Sequence, residues 1–438
     1  MNAFVHFSLN TFTGKEWGYG DESPSIFKPS SFDADQWIQA FKEAGFKGVI
    51  LTGKHHDGFC LWPTAYSEHS VKNSPFKNGK GDVVKEISEA CKRNGLKFGI
   101  YLSPWDRNRA DYGSPSYVEY YRNQLKELFT SYGPVFEMWF DGANGGDGYY
   151  GGAKEKRRIN GASYYEWPAT LKLVRQMEPN ILFFSDAGPG VRWVGNERGV
   201  AGETNWCTIT PDTLFAGKPG IEGLLNKGDE NGTAWIPAEV DVSIRPGWFY
   251  HAHEDSLVKS PEKLFEIYMT SVGRGSTLLL NIPPDQRGLI HENDLKALQG
   301  LRKMIDTELK TNHAKNAKVK GSTYRGESET FSPSNIADEN PETYWATDDA
   351  VTTGHVELEL EKVQRIKYVL LQEYIKLGQR VKSFTVEVLD NDTWKPVATG
   401  TTIGYKRIIE VEPIETSKIK VTITGSKACP LISTIDVY

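Results

Sequence analysis

The sequence predicts an α/β fold, a (β/α)8-type barrel, followed by an all-β sandwich domain of the jelly-roll kind. In the first part of the chain, short apolar runs alternate with amphipathic stretches, which indicates strand–helix units and a parallel sheet. Nearly eight such units in about 300 residues favour a closed barrel over an open sheet. Further on, apolar and polar residues alternate one by one, as in antiparallel strands. We therefore expect a barrel domain over residues 1–313 and a β-sandwich over residues 314–438.

The barrel elements are assigned from apolar runs and from helix-cap residues. Ser31 or Asp33 is the start signal of the first long helix, and Gly45 is its stop signal. Apolar runs predict strands at Phe4–Phe7, Gly48–Leu51, Lys97–Tyr101, Val135–Phe140, Ile181–Phe184 and Thr277–Asn281. Amphipathic stretches predict helices at Asp35–Ala44, Asp82–Arg93, Tyr117–Tyr132, Tyr164–Met177, Pro261–Val272 and Glu292–Leu309. Residues 200–250 show no clear pattern, and no glycine fingerprint follows the first strand, which disfavours a dinucleotide-binding fold.

The second domain has the period of strands with one buried face. Strands are predicted at His355–Leu360, Ile366–Gln372, Phe384–Leu389, Lys406–Val411 and Ile419–Thr424. Turn residues at Asp390–Asp392 and Gly400 separate these strands. The segment Thr311–Ala317 is the expected linker between the two domains.

Composition excludes several classes of protein. The net charge of −6 comes without a block of basic residues, which argues against a nucleic-acid partner. No apolar run is long enough to span a bilayer, so no membrane span is expected. The 12 tryptophans suit either large cores or stacking on sugar rings. The cysteines are too widely spaced to predict a disulfide framework or a zinc site; they are Cys60, Cys91, Cys207 and Cys429.

A carboxylate at the end of the fourth predicted strand is the strongest functional signal. The segment Glu137–Gly142 reads Glu-Met-Trp-Phe-Asp-Gly and leads into a glycine-rich loop. Reacting groups of barrel enzymes lie at the carboxyl ends of strands. Asp141 beside Trp139 therefore offers a nucleophile next to an apolar surface for a sugar ring. The alternative is an Asp that caps the following turn.

Polar residues also follow the other predicted strands. His6 ends the first strand, His55 and His56 follow the second, Tyr101–Trp105 follows the third, and Ser185-Asp186 follows the fifth. In a barrel these loops open onto one face, so they predict a pocket.

The adjacent histidines are interpreted as groups that bind hydroxyls. Neighbouring residues of a strand point in opposite directions, so His55 and His56 share a metal ion only in a loop geometry. No third ligand has a useful spacing, and no metal or cofactor is expected. Each imidazole offers a hydrogen-bond donor and an acceptor to a hydroxyl. A histidine satisfied within the core remains the alternative for His55.

Cleavage of a glycoside requires a second carboxyl group to protonate the leaving oxygen. The candidates are Asp186, Glu197 and Glu203. Glu197 lies in an aromatic, glycine-rich stretch, where apolar surroundings would raise the pKa of a carboxyl group. Pairing with a neighbouring arginine would instead make it part of a structural ion pair. On these grounds Glu203 stays open as the alternative.

Five segments together resemble the α-L-fucosidases of glycoside hydrolase family 29. They are His6-Phe7, Glu16-Trp17, His55–Phe59, Trp139–Asp141 and Gly195–Glu197, and the resemblance extends from residue 3 to about residue 310. It implies a (β/α) barrel and a retaining two-step mechanism on a fucosylated oligosaccharide.

The resemblance also implies roles for individual residues. Asp141 is implied as the nucleophile that forms a covalent fucosyl-enzyme. The residues implied to line and close the fucose pocket are His6, Trp17, His55, His56, Trp139 and Trp248. The segment Trp193–Glu197 is similar to the subfamily that cleaves α-1,3 and α-1,4 linkages of branched glycans, which implies that Glu197 is the acid/base.

The second domain resembles discoidin-like (F5/8 type C) modules through Phe331–Asn335 and Asn340–Trp345. This resemblance implies a domain like a carbohydrate-binding module and allows a structural calcium ion at its turns. Trp345 is expected in the core of the domain.

Two other functions stay open, and the location of the protein is inferred indirectly. The other functions are a different retaining barrel glycosidase, such as an α-galactosidase, and a glycan-binding protein without activity. The first apolar run begins almost at Met1, whereas the family carries a leader, so we expect a periplasmic or secreted protein whose leader is absent from this chain.

Overall fold

The first domain is a closed barrel of eight parallel strands. The computed structural model describes residues 1–438. Strands β1 to β8 are Asn2–Val5, Gly48–Lys54, Lys97–Leu102, Glu137–Trp139, Leu182–Ser185, Val191–Trp193, Ala238–Ser243 and Thr277–Asn281. They follow one another around the barrel in chain order, and β1 closes it by pairing with both β2 and β8. The predicted barrel is confirmed, and all its strands end on one face.

Eight α-helices accompany the strands, and cap residues set their ends. Helices α1 to α8 are Leu9–Thr13, Ala34–Glu43, Val83–Asn94, Pro115–Ser131, Trp167–Met177, Glu222–Lys227, Pro261–Ser271 and Glu292–Glu308. Asp33 caps α2 by accepting hydrogen bonds from the backbone N–H groups of Asp35 and Gln36. Asp82 caps α3, and Gly95 ends it in the left-handed conformation. The predicted helices are confirmed to within about one turn at each end.

The sequence analysis assigns no element to β6 or β7. Strand β6 has only three residues, too few to show a period. Strand β7 is buried along its whole length, but it carries Glu239 and Asp241 and so lacks the apolar run of a buried parallel strand. Strand β1 ends at Val5, where its pairing stops, so the predicted extension to Phe7 is wrong.

The second domain is an antiparallel all-β unit, as predicted. Strands β9 to β15 are Lys318–Gly321, Trp345–Ala346, Gly354–Glu373, Val381–Asp390, Thr393–Gly400, Arg407–Ser426 and Leu431–Val437. The central strands β11 and β14 pair with each other through shifts in register. Each merges two strands that the sequence predicts separately, because pairing resumes beyond the irregularity. Strands β9, β10, β13 and β15 are not among the predicted strands.

Two details of the second domain agree with the sequence. Trp345 is fully buried, and its indole Nε1 donates a hydrogen bond to the Thr323 carbonyl at 2.9 Å, so this tryptophan belongs to the core. Asn391 and Asp392 have φ values of 48° and 60° in the two-residue turn between β12 and β13. Asn and Asp tolerate this left-handed region, which confirms the predicted turn.

None of the helices combines the length and the apolar character needed to cross a membrane.

All four cysteines are free and buried. They therefore act as small side chains of the core.

Hydrogen bonds join the two domains next to β6. The side-chain Oε1 of Gln379 accepts from the Cys207 backbone N–H at 2.7 Å, and its Nε2 donates to the Asn205 carbonyl at 2.9 Å. The Thr402 hydroxyl accepts from the Asn205 N–H at 2.9 Å. All four residues are buried. The all-β domain thus satisfies backbone groups of the barrel domain.

Replacing Gln379 with alanine is expected to lower the free energy of unfolding by about 1–3 kcal/mol, because a buried N–H and a buried C=O lose their partners. Denaturant unfolding of the variant and the wild type measures this loss. Gln372→Ala is the matched control, since the amide of Gln372 donates to an exposed carbonyl that water can satisfy. Equal stability of the two variants would contradict the structural role of Gln379.

Candidate active site

A cavity of about 210 Å³ opens at the carboxyl ends of the barrel strands. Its wall is formed by Phe4, His6, Trp17, His55, His56, Tyr101, Trp139, Asp141, Ala143, Glu197, Asp241 and Trp248. A second cavity of about 180 Å³ adjoins it and is lined by Trp139, Asp141, Gly142, Ala143, Asp186, Trp193, Glu197 and Asp241. The first cavity brings together every residue that the sequence analysis assigns to catalysis or to sugar binding.

Asp141 lies just beyond the end of β4, with both carboxylate oxygens hydrogen-bonded. Oδ1 accepts from the Ala143 backbone N–H at 2.7 Å, and Oδ2 accepts from the Tyr101 hydroxyl at 2.8 Å. The side chain is 25% exposed and faces the cavity. Donors on both oxygens fix the orientation of the carboxylate, so Asp141 is more than a turn cap.

The indole of Trp139 lies beside Asp141 and above a pair of buried acids. It stacks on Phe184 with ring centroids 3.8 Å apart, and its Nε1 donates to Oε1 of Glu239 at 3.1 Å. Burial raises the pKa of both Glu239 and Glu137. Sharing one proton between two adjacent buried carboxyl groups avoids two neighbouring negative charges.

His6 presents a neutral ring to the cavity. Its Nδ1 lies 2.8 Å from Oδ1 of Asn281. The other amide atom of Asn281, Nδ2, donates to the Ser243 hydroxyl and to the carbonyl of Trp248. The amide oxygen must therefore accept from Nδ1–H, which leaves Nε2 with a free lone pair. Burial lowers the pKa of His6 to about 4, so the ring is neutral at neutral pH.

His56 has the same tautomer for a similar reason. Its Nδ1 lies 2.7 Å from the Ser103 hydroxyl, and that hydroxyl donates its own proton to the Trp105 carbonyl. Nδ1 of His56 is therefore the donor, and Nε2, 3.8 Å from Oδ2 of Asp141, carries a lone pair. Burial lowers the pKa of His56 to about 4.

His55 completes the group of neutral imidazoles. Its ring lies 4.1 Å from the His56 ring and stacks on Tyr101 at 5.9 Å. Burial lowers the pKa of His55 well below its usual value. Its Nδ1 has no hydrogen-bond partner in the protein, which favours a ligand-binding role over that of a satisfied core histidine.

Two tryptophans form the rim of the cavity. Trp17 is 52% exposed and meets the His56 ring edge to face at 5.1 Å. Trp248 packs against the His6 ring at 5.2 Å. The carboxylate of Glu16 accepts from the Trp248 backbone N–H at 2.7 Å. Because Glu16 precedes Trp17 in the chain, one short segment positions both tryptophans.

Glu197 lies in the loop after β6 and lines both cavities. Gly195 allows this loop to pack on α6, since its φ is +81° and a Cβ there would lie 2.3 Å from the Glu222 carbonyl oxygen. The Asn196 side chain bonds to two backbone groups of the same loop. Burial, followed by the charge of Asp141, raises the pKa of Glu197.

The other two candidate acids do not line the first cavity. The Glu203 side chain is 76% exposed and pairs with Arg274 at 3.5 Å, outside both cavities. Asp186 lines the second cavity only and accepts from the Gly217 N–H at 2.7 Å. Glu197 is therefore the candidate acid that shares both cavities with Asp141.

Two residues of the first cavity that carry a hydroxyl or carboxyl group lie outside the set that the sequence analysis selects. The sequence analysis gives Tyr101 only as the end of the third predicted strand and the start of the loop after it, although its hydroxyl donates a hydrogen bond to Asp141. Asp241 lies inside β7 and lines both cavities. The available signal was the alternation of acidic residues with valines in Ala238–Ser243.

No three His, Cys, Asp or Glu side chains lie close enough together to hold a metal ion. Asp57, next to the histidine pair, accepts a hydrogen bond from the Phe59 N–H at 3.1 Å instead. The structural calcium ion of the second domain stays a prediction.

The fold and the cavity define a class of enzyme. A fixed carboxylate, Asp141, and a carboxyl group with a raised pKa, Glu197, share a cavity with aromatic faces and neutral imidazoles. Two carboxyl groups beside such faces, at the carboxyl end of a closed barrel, are the arrangement of a glycoside hydrolase.

Comparison with known proteins identifies the family. The alpha-L-fucosidase family model matches residues 1–308, and the F5/8 type C domain model matches residues 318–435. The putative alpha-L-fucosidase 1 of Oryza sativa subsp. japonica is 43% identical over 441 residues, which cover all of this chain and 82% of the relative. A glycoside hydrolase 29 family member from an unknown rumen bacterium is 45% identical, with a TM-score of 0.89 over all of this chain and 74% of that one. A Ruminococcus gnavus GH29 fucosidase solved in complex with fucose is 36% identical, with a TM-score of 0.90 over all of this chain and 92% of that one.

The chain belongs to the α-L-fucosidases of glycoside hydrolase family 29. It is a glycoside hydrolase with an F5/8 type C domain C-terminal to its barrel domain. Membership of the family, as the resemblance indicated, is confirmed, and the alternative of a different barrel glycosidase is wrong.

Proposed function

We propose that this enzyme removes terminal α-1,3- or α-1,4-linked fucose from glycans, with retention of configuration, through a covalent fucosyl-enzyme on Asp141. One observation carries the proposal: Asp141 and Glu197 line the same two adjoining cavities from loops that follow different strands. A double displacement requires two carboxyl groups at one sugar ring. The fucose bound to the Ruminococcus gnavus relative supports fucose as that sugar.

In the first step, the Asp141 carboxylate attacks the anomeric carbon. A bond forms between its oxygen and C1 as the glycosidic C1–O bond breaks, and the leaving oxygen takes the proton of Glu197. The hydrogen bonds from Tyr101 and the Ala143 N–H hold the nucleophile in position.

In the second step, Glu197 takes a proton from a water molecule whose oxygen attacks C1. The ester bond to Asp141 breaks, and its electron pair returns to the carboxylate. Each step inverts C1, so the product retains the configuration of the substrate.

The electrostatics of the site suit both roles of Glu197. Burial, and then the charge of Asp141, raise the pKa of Glu197, which favours the protonated form that the first step requires. Asp141 becomes a neutral ester in the intermediate, so its charge no longer opposes ionisation of Glu197. The pKa of Glu197 then falls, as a base in the second step requires.

The remaining cavity residues suit a deoxysugar. The free Nε2 atoms of His6 and His56 accept hydrogen bonds from sugar hydroxyls. The rings of Phe4, Trp139 and Trp248 supply an apolar surface for the C–H face and the 6-methyl group of fucose.

A 2-deoxy-2-fluoro-fucosyl fluoride is expected to label Asp141, because the fluorine slows hydrolysis of the covalent intermediate. Peptide mapping by mass spectrometry locates the label. Asp141→Asn should abolish labelling and lower kcat by at least about a thousandfold. Asp186→Asn is the matched control, since Asp186 lines only the second cavity. A label on any other residue would overturn the covalent step at Asp141.

Glu197→Ala is expected to lose most activity on glycans and less on aryl fucosides with good leaving groups, and azide should restore turnover by replacing water. Glu203→Ala is the control. Wild-type activity should fall as the pH rises through the raised pKa of Glu197, because the acid form disappears, and Glu197→Gln should lack this decrease on activated substrates. Azide rescue of the Glu203 variant instead would show that the acid/base is misassigned.

Two features support the proposed linkage preference: the segment Trp193–Glu197 and the second cavity, which offers space for a second sugar. We expect kcat/KM for a Lewis-type trisaccharide to exceed that for an α-1,2-linked fucoside by at least about tenfold, since only the former would gain binding energy in this cavity. Trp193→Ala should reduce the ratio of kcat/KM for the trisaccharide to kcat/KM for the α-1,2-linked fucoside. Equal rates on both substrates would refute the preference.

Two further statements remain predictions. The F5/8 type C match supports a second domain like a carbohydrate-binding module. A periplasmic or secreted location is consistent with glycan substrates.

A further inference from the structure

Asp241 is a third carboxyl group in the active site, and the two-step mechanism gives it no role. It lies within β7, is 3% exposed and lines both cavities together with Asp141 and Glu197. Its side chain points into the barrel, on the same side of β7 as Glu239. A sugar that reaches the two catalytic carboxyl groups therefore also reaches Asp241.

The hydrogen bonds of Asp241 leave one of its oxygens for a ligand. Oδ1 accepts from the indole Nε1 of Trp193 at 2.9 Å, and this is its only side-chain hydrogen bond within the protein. Trp193 forms part of the wall of the second cavity. No other residue of the protein donates to this carboxyl group.

Every charged group that faces Asp241 is acidic. Glu197 faces it from the loop after β6, Glu239 lies on the same strand, and Asp141 shares both cavity walls. No lysine or arginine lines either cavity, and the three histidines of the wall are neutral. Burial, and then the charge of Glu197, raise the pKa of Asp241 well above its usual value. A raised pKa favours the neutral form of the carboxyl group, and the neutral form carries an O–H donor.

We infer that Asp241 is a substrate-binding residue whose neutral carboxyl group donates a hydrogen bond to an oxygen of the fucosyl unit where the two cavities meet. The Trp193 N–H occupies Oδ1 and thereby keeps the carboxyl proton on Oδ2. The inference rests on the proposed function for the identity of the sugar, but not for the covalent step.

Asparagine is a close mimic of the neutral acid at this position. In Asp241→Asn, Oδ1 still accepts from Trp193 and Nδ2 donates in place of the O–H, whereas Asp241→Ala loses both groups. Calorimetry measures the dissociation constant of free fucose for each variant. We expect Asp241→Ala to weaken fucose binding about tenfold, and Asp241→Asn to weaken it only about twofold to threefold.

Three outcomes would overturn the inference. Equal losses in the Asn and Ala variants would mean that the ionised carboxylate is required. A loss in Trp193→Phe as large as in Asp241→Ala would mean that Asp241 acts through the indole. Unchanged fucose binding in Asp241→Ala would mean that no contact exists.

If thermal melting shows that Asp241→Ala is unfolded, Asp241→Leu, which keeps a similar shape, replaces it. Failure of the fluorosugar to label Asp141, with the expected fucose affinities intact, would refute the covalent step alone.

Discussion

The barrel interior gathers acidic side chains without a basic side chain to neutralise them, and the active site depends on this constraint. Glu137, Glu239 and Asp241 are almost fully buried, and burial raises the pKa of each. Neutral carboxyl groups inside the barrel can donate hydrogen bonds without adding to the negative charge. Asp141 lies at the mouth of the barrel, where partial exposure and two hydrogen-bond donors suit a charged group. Carboxyl groups at different depths of the barrel can thus serve as a nucleophile and as a hydrogen-bond donor within one cavity.

The buried basic residues of the strands face away from this interior. Lys54 pairs with Asp106 at 3.1 Å and lies over the ring of Tyr120, in the layer between the barrel and its helices. Arg192 is fully buried and donates to the carbonyl of Trp206 at 2.9 Å. Alternation along a strand places Arg192 outside the barrel. These cations therefore stabilise the fold without neutralising the active-site acids.

The sequence predicts the parts of this structure in which local pattern and tertiary environment agree. Strand β8, an apolar run between two helices, is predicted with its observed bounds, and His6 and Asp141 are found because they follow such runs. Strand β7 is missed because its acidic residues are buried by the rest of the barrel, which no local pattern reveals, and Asp241 is missed with it. Glu197 and Glu203 are six positions apart in similar glycine-containing segments. In the structure Glu203 pairs with the distant Arg274, whereas Glu197 lines the cavity. Both features depend on tertiary contacts, so the sequence left both residues open as candidates for the acid/base.

The contacts between the domains connect the second domain to the loop that carries Glu197. Gln379 binds the backbone of Asn205, whose side-chain Oδ1 accepts from Arg192 at 3.1 Å. Arg192 is the residue of β6 immediately before Trp193, and the loop that follows leads to Glu197. A buried arginine that lost one of its acceptors would have to move or to remain unsatisfied, and both would disturb β6. The all-β domain is therefore part of the framework that holds one wall of the second cavity, whether or not it binds a glycan itself.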